Sequence, residues 1–296
     1  MVEKDVILHQ ILTDLSGDGF FSKNFVFKGG TCLIKQHLGY FRFSEDADFT
    51  WRRPSRFEGM STKKMRRELS PIIDAVGGTL EGISAGRGLD FACSKDDPRY
   101  VEVGGSNKMC TFKMWYDSAV LGRRSFVKVQ VNFVEEICTR PTKGRLRSLA
   151  SGHGDSRKAE EARFLFPEYE EYSREIPFDV YGVGEILSEK IRAMITRRGV
   201  KARDYLDAFF IRREAGIGPA DVEECVMRKT AHALDHYAKY RRNLEAKRGS
   251  IMEGGAPFSR GVERELLLTE IDGAEFQRET EELARYLEGL IGRFHA

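Results

Sequence analysis

The sequence predicts an α/β (α+β) N-terminal domain followed by a mainly helical C-terminal domain, and three observations carry that prediction. Runs that read as strands, FVFK at 25–28, MCTFKMWY at 109–116 and SFVKVQVNFV at 125–134, all lie in the first half. A double glycine follows the first run and opens onto a helical pattern. From position 185 onward the apolar spacing is helical almost throughout. A chain of 296 residues has room for two domains. We set them at 1–150 and 151–296, because residues 143–160 are polar, rich in Gly and Ser, and without periodicity.

Taken in order, Val6, Ile7, Ile11, Leu12 and Leu15 mark an amphipathic helix over residues 4–15, ended by residues 16–19 and packed on the sheet that starts at Phe25. Residues 25–51, FVFKGGTCLIKQHLGYFRFSEDADFTW, read as strand, glycine turn, short helix and second strand. Gly29 and Gly30 let the backbone bend sharply and approach a ligand closely. A helix over 31–38, beginning at Thr31, leaves its first N–H groups facing that turn, which suits an anion. Period-two geometry puts Ser44, Asp46 and Asp48 on one face of the second strand, with Phe43, Ala47 and Phe49 on the other.

Ser61 or Thr62 caps a helix running to Val76, with Gly77 and Gly78 as its stop. GGTL at 77–80 repeats the letters of the first motif, but it follows a helical pattern and precedes no strand with paired acids, so it reads as a C-cap. In the 125–134 strand, Val127, Val129, Val131 and Phe133 face one way, and Phe126, Lys128, Gln130 and Asn132 the other. Residues 143–160 read as a loop or linker and 176–181 as a returning strand. Helices are expected over 185–198, 200–213, 219–246 and 262–293.

The paired acids carry the first chemical signal. Two carboxylates at neighbouring same-face positions repel by roughly 1 kcal/mol in water at 4 Å, and by about 4 at an effective dielectric of 20. A divalent cation relieves that repulsion, and hard oxygen ligands suit Mg²⁺ or Mn²⁺, with substrate phosphates as further ligands. The chemistry suggested is metal-assisted attack on a nucleotide phosphate, with the glycine turn cradling the phosphate chain. An exposed polar strand face after a tight turn is the competing account, and the GGT at this spacing favours the functional one.

Composition bounds the answer less tightly. The chain is 41% hydrophobic and 32% charged, with a net charge of +2, so it exerts no global pull on nucleic acid. Residues 262–288 hold nine acids against three bases, a net of −6, which leaves +8 for the remainder. Basic clusters recur at 52–53, 63–67, 123–124, 140–147 and 197–203. Five scattered cysteines, Cys32, Cys93, Cys110, Cys138 and Cys225, form no CxxC, which suits free thiols in a reducing compartment. MVEKDVILHQIL lacks a signal-peptide core and no stretch approaches 18 apolar residues, so a cytoplasmic protein with no membrane partner is expected.

A second constellation lies in EILSEKIRAMITRRGVKARDYLDAFF at 185–210. Ile186, Leu187, Ile191, Met194 and Ile195 mark a buried helix face, and Lys190 falls on the same side. A lysine there reaches out along its stem or meets an anion. Pairing with Glu185 or Glu189 is the structural reading, as an ion pair with Arg203 is for Asp204. His232, Asp235 and His236 have helical spacing suited to zinc, but no HExxH glutamate or third ligand accompanies them. Ser44 sits in no GxSxG elbow, and Trp115 and Tyr116 read as core.

GGTxL followed by RFSEDADF resembles the signature of the polymerase-β-type nucleotidyltransferases, in particular the AbiEii/AbiGii toxin family of abortive-infection and toxin–antitoxin systems. The lysine-bearing helix, the arginine-rich turn and the RD-Y-D helix are similar to the C-terminal half of that signature. The resemblance covers residues 20–50 and 176–212, and 125–135 in part. It implies a nucleotidyltransferase domain with a mixed β-sheet flanked by helices, then a helical domain, with the active site in the cleft between them. It further implies Asp46, Asp48, Lys190 and Asp204 as catalytic residues, with Mg²⁺ or Mn²⁺ on Asp46 and Asp48. Gly29, Gly30, Thr31, Ser44 and Lys190 would hold the NTP, and Asp204 would orient Lys190 or the nucleotide. The implied acceptor is an RNA such as tRNA, or a protein, and the implied partner is a cognate antitoxin. The sequence departs at Gln130, where the family type brings a third carboxylate and an amide stands instead. A transferase acting on small molecules, or a nucleotide-binding module without catalysis, are the alternatives.

Overall fold

The structure, a computed structural model, describes residues 1–104, 107–151, 161, 164–165, 168–248 and 267–294. The chain forms two compact units, Met1–Val134 with Pro141–Tyr181, and Glu135–Arg140 with Gly182–Ala296. The first unit thus continues past position 150, because a returning strand joins its sheet, and the second takes in the short stretch after Val134.

The first unit is built on a mixed sheet of seven strands: β1 (Phe25–Lys28), β2 (Asp46–Trp51), β3 (Val101–Gly104), β4 (Met109–Ser118), β5 (Arg123–Asn132), β6 (Thr142–Leu146) and β7 (Ile176–Val180). Their order is β3-β4-β5-β2-β1-β7-β6. β2 runs parallel to β5 and β1 parallel to β7, while the remaining pairs are antiparallel. Parallel neighbours need long crossovers, and the one between β2 and β5 carries the Thr62–Arg87 helix together with β3 and β4. On one face Phe27, Phe49 and Phe178 meet in a ring cluster, with Phe21 edge-on to Phe49 at 4.8 Å. All four are buried.

The Val2–Gly17 helix covers this unit with Leu8, Ile11, Leu12 and Leu15. It also buries Asp5, which ion-pairs with fully buried Lys35 at 2.9 Å and accepts hydrogen bonds from the Tyr40 and Tyr172 hydroxyls at 2.8 and 2.7 Å. Lys35 lies in Leu33–Leu38, a π-helical turn that follows the single α-turn Gly29–Cys32. The network therefore pins the segment just beyond the glycine bend to the first helix. Beside it, His9 stacks edge-on against Tyr172 at 5.3 Å. Its Nε2 lies 3.0 Å from the Arg174 carbonyl, which can only accept, so Nε2 carries the proton. Burial, then the neighbouring Lys35 charge, push the His9 pKa down to about 4.

Four sequence expectations are corrected here. Gly77 and Gly78 do not end a helix: it runs from Thr62 to Arg87, capped by Ser61 and closed by Gly88 at φ +66°. Gly77 is small because a Cβ there would lie 1.9 Å from Cys93 Sγ and 2.8 Å from its Cβ. Residues 142–146 are strand β6 rather than loop, since β7 supplies it with an antiparallel partner; residues 152–160 lie outside the described residues. The second strand begins at Asp46, so Ser44 precedes it. Finally, Cys138 and Cys225 are joined in a disulfide, their Cα atoms 5.7 Å apart, while Cys32, Cys93 and Cys110 are free.

The second unit is helical: Val183–Thr196, Ala202–Ala215, a 3-10 turn Pro219–Val222, Glu223–His236, Ala238–Lys247 and Gly273–Ile291. The long pattern over 219–246 is therefore broken twice. The last helix starts at an Asp272 cap that accepts from Ala274 N at 2.8 Å; residues 262–266 lie outside the described residues. The disulfide ties the Glu135–Arg140 stretch to the Glu223–His236 helix. Glu185 reinforces it, accepting from Cys138 N at 3.0 Å and Thr139 N at 2.9 Å and pairing with Lys229 at 2.7 Å. Among the described residues no helix is long and apolar enough to cross a membrane.

The two glycines of the long helix predict opposite effects. At Gly78 a Cβ meets nothing, so Gly78→Ala should stabilise by about 0.5–1 kcal/mol through helix propensity. At Gly77 overpacking costs about 1–3 kcal/mol and outweighs that gain, so Gly77→Ala should lower the urea midpoint. His9 makes a pH prediction. Its folded pKa of about 4 lies below the unfolded value of 6.5, so its contribution is present above pH 6.5 and is lost as pH falls toward 4. The contribution is about 3 kcal/mol at neutral pH. Urea unfolding of His9→Gln across that window should show a slope shallower by about one proton.

Candidate active site

At the centre of the sheet the backbone leaves β1 at Lys28 and bends at Gly29, whose φ is +77°. A side chain is strained at that angle, and a Cβ at Gly29 would also stand 2.4 Å from Asp48 Oδ2. Glycine is thus required twice at this position. A Cβ at Gly30 would lie 2.6 Å from Arg42 Nη2 and 3.3 Å from Ser44 Oγ. The bend is therefore seated directly on the side chains of Asp48, Arg42 and Ser44. Thr31 is buried, its hydroxyl 2.8 Å from Ser44 Oγ and hydrogen-bonded to the Asp46 backbone carbonyl. One threonine so ties the bend to the loop and strand that carry the acids.

Asp46 and Asp48 occupy alternate positions of β2 and are half-buried, whereas Ala47 and Phe49 on the opposite face are fully buried. The neighbouring strands supply what lies beside each acid. Lys28 of β1 is opposite Asp48, and β5 sets Lys128 opposite Asp46 and Gln130 opposite Asp48. Lys128 Nζ is 3.7 Å from Asp46 Oδ1. Buried Arg42 donates from Nη1 to the Phe43 carbonyl at 2.7 Å. The first unit thus brings together Gly29, Gly30, Thr31, Ser44, Asp46 and Asp48, and adds Arg42, Lys28 and Lys128.

Lys190 and Asp204 come together in the second unit. Lys190 is nine-tenths buried and ion-pairs with Asp207 and, at 3.4 Å, with Asp204. Asp204 also accepts from Arg197 Nη1 at 2.6 Å. The partners therefore differ from those read in the sequence: Glu185 goes to Lys229, and Asp204 to Arg197 and Lys190. Asp207, fully buried, was missed. Its three-residue spacing from Asp204 puts both on one helix face, and that periodicity was the available signal.

The other candidates resolve into structure. His232 and His236 stack with ring centroids 4.0 Å apart, and His236 Nδ1 lies 2.8 Å from the His232 carbonyl. Among the described residues, the one group of three with metal-ligand spacing is Cys138, Glu185 and Cys225, whose sulfurs are already bonded to each other.

A glycine bend beside paired carboxylates offers chemistry that can hold a divalent cation and a phosphate. The sequence matches the family model described as nucleotidyl transferase AbiEii toxin, type IV TA system, over residues 10–289. The chain belongs to the AbiEii nucleotidyltransferase toxin family. AbiEii proteins are the toxin halves of type IV toxin–antitoxin systems, so an antitoxin partner and an NTP substrate come with the membership. In this chain the matched residues take in both the mixed seven-stranded sheet and the helices that follow it. Among solved structures, JHP933 from Helicobacter pylori is similar at 13% identity and a TM-score of 0.42, covering 97% of this chain and 91% of its own. An H. pylori protein described as a nucleotidyltransferase is similar at 13% identity and a TM-score of 0.45, covering 99% and 97%. No curated protein matches the chain.

The buried cluster of this AbiEii protein predicts a graded response. Asp207→Ala removes the fully buried partner of Lys190 and should cost roughly 3–5 kcal/mol. Asp204→Ala should cost less, because its second partner, Arg197, is more than a third exposed. Guanidinium unfolding of the two variants checks the order.

Proposed function

We propose that this AbiEii toxin transfers a nucleoside monophosphate from an NTP to an RNA acceptor such as tRNA, with a protein acceptor as the alternative, and that the modification arrests growth until the antitoxin intervenes. One observation supports this above the others: Gly29 bends against Asp48 while Thr31 joins that bend to Ser44 and Asp46. A polar strand face with no ligand would not require glycine where a side chain would collide with a carboxylate.

The donor set suits a divalent cation. Asp46 and Asp48 offer hard carboxylate oxygens, and with no side chain at Gly29 the bend packs directly against the Asp48 carboxylate. Mg²⁺ or Mn²⁺ held by Asp46 and Asp48 would polarise the phosphate and neutralise charge that develops during transfer. The Gly29–Gly30 backbone, Thr31 and Ser44 would hold the triphosphate, and buried Arg42 beside Gly30 adds a fixed positive charge there. We assign Lys190 to binding nucleotide phosphate, and Asp204, 3.4 Å from it, to orienting its ammonium. A catalytically silent nucleotide-binding module is the second reading, favoured by the amide of Gln130 opposite Asp48.

Incubation with each labelled NTP and total RNA, alongside expression in cells, tests the proposal. Label should appear on RNA and growth should stop. Asp46→Ala or Lys190→Ala should lower labelling by about 100-fold or more and restore growth. Label on a protein would move the acceptor, and label on small molecules in healthy cells would overturn the toxin reading. Metal-dependent NTP binding without transfer to any acceptor would favour the silent module.

A further inference from the structure

The sheet face that carries Asp46 and Asp48 continues past the end of β2. That strand begins at Asp46, opposite Lys128. Two residues earlier on β5, about 7 Å further along, the same face carries Phe126. Trp115 of β4 is paired with Phe126 in register, their ring centroids 4.7 Å apart and their planes tilted by 57°. The core lies on the other face, with buried Met114, Tyr116 and Val127. Trp115 and Phe126 are both half-buried, so the sequence expectation of core holds for Tyr116 and fails for Trp115. The Trp115 indole is held in place by donating from Nε1 to the Arg99 carbonyl at 2.8 Å. Three cations lie against the pair: Arg124 is 5.4 Å from the Trp115 ring, and Lys4 and Lys128 are 5.7 and 5.5 Å from that of Phe126. Each also holds an acid, Asp90, Glu45 and Asp46 respectively, and Asp117 stands opposite Arg124. Charge here is therefore near balance. What this stretch offers is aromatic surface beside a guanidinium, the two kinds of surface on which an unstacked base lies.

Its place relative to the acids says which base. The Gly29–Gly30 bend leaves β1 on one side of β2, while β5 and β4 lie on the other side. With the triphosphate over the bend, pyrophosphate departs on the β1 side, and in-line displacement brings the attacking oxygen from the β5 side. We propose that Trp115 and Phe126 stack an unpaired base of the acceptor RNA, close to the nucleotide whose hydroxyl attacks. In that step the hydroxyl oxygen bonds to the α-phosphorus of the NTP and the bond from that phosphorus to the bridging oxygen breaks. Pyrophosphate leaves with the electron pair, and the hydroxyl proton passes to water. The inference rests on the nucleotidyl-transfer reading above and gives that site its acceptor platform.

Fluorescence and kinetics test it on the full chain. The chain has two tryptophans and Trp51 is buried, so Trp51→Phe leaves Trp115 as the sole indole. A single-stranded oligoribonucleotide of mixed sequence should quench it, and a non-hydrolysable NTP analogue alone should not. In labelling of total RNA, Trp115→Leu and Phe126→Leu should raise the half-saturating RNA concentration by about 10-fold or more, with KM for the NTP and the rate at saturating RNA unchanged. Trp115→Phe keeps an aromatic face and should stay within about 3-fold of wild type. Quenching by the NTP analogue alone, with a raised NTP KM in Trp115→Leu, would give the platform to the donor base and overturn the acceptor assignment. RNA labelling with the same RNA dependence in wild type and both leucine variants would overturn the platform and leave the nucleotidyl-transfer reading standing. Label on protein and not on RNA, with no quenching by the oligoribonucleotide, would sink the RNA-acceptor reading and this proposal with it.

Discussion

Two carboxylates of like charge on one strand form the constraint that the rest of the first unit serves. Same-face neighbours on a strand lie roughly 6.6 Å apart, where like charges at an effective dielectric of 20 repel by about 2.5 kcal/mol, so nothing in the acids themselves favours their position. The opposite face of β2 holds them there. Ala47 and Phe49 are fully buried, and Phe49 packs with Phe21, Phe27 and Phe178. A slip of one residue would send those side chains to the polar face and both acids into the aromatic cluster. The penalty for burying unpaired carboxylates there greatly exceeds their mutual repulsion. The aromatic core thus fixes the register, and the register fixes the acids.

The glycine bend depends on the same strand. Gly29 stands where the chain leaves β1, and β1 is antiparallel to β2 with Lys28 opposite Asp48. The close approach to Asp48 is thus a consequence of pairing. Thr31 then transfers that fixed position to Ser44, which lies before the strand begins. Further back, Lys35 anchors the π-helical turn to Asp5 and so to the first helix. Each step passes rigidity from a packed element to a less regular one.

The second unit uses buried charge in a different way. Lys190 with Asp204 and Asp207, and Lys229 with Glu185, are ionic groups in a helical core. Such pairs contribute little net stability against apolar replacements, yet breaking one is costly. Their value is directional: each ammonium has a defined set of oxygens and therefore a defined place. Glu185 adds the backbone of Cys138 and Thr139 to that set, and the disulfide closes the same corner.

The sequence by itself determined what depends on near neighbours. The FVFKGGT bend, the alternation of Asp46 and Asp48, the Ser61 cap and the helical face bearing Lys190 all follow from periodicity and local backbone chemistry. Tertiary structure alone decided where distant segments meet. Gly77 looks like a helix stop until Cys93 packs against it, and residues 142–146 look like loop until β7 pairs with them. Cys138 and Cys225 are 87 residues apart, so no local pattern joins them. Lys190 could have paired with Glu185 on its own helix, but the core offered Asp207, and Lys229 took Glu185. In each case the deciding energy is burial or pairing between groups remote in the chain. That energy exists only once the fold has brought them together.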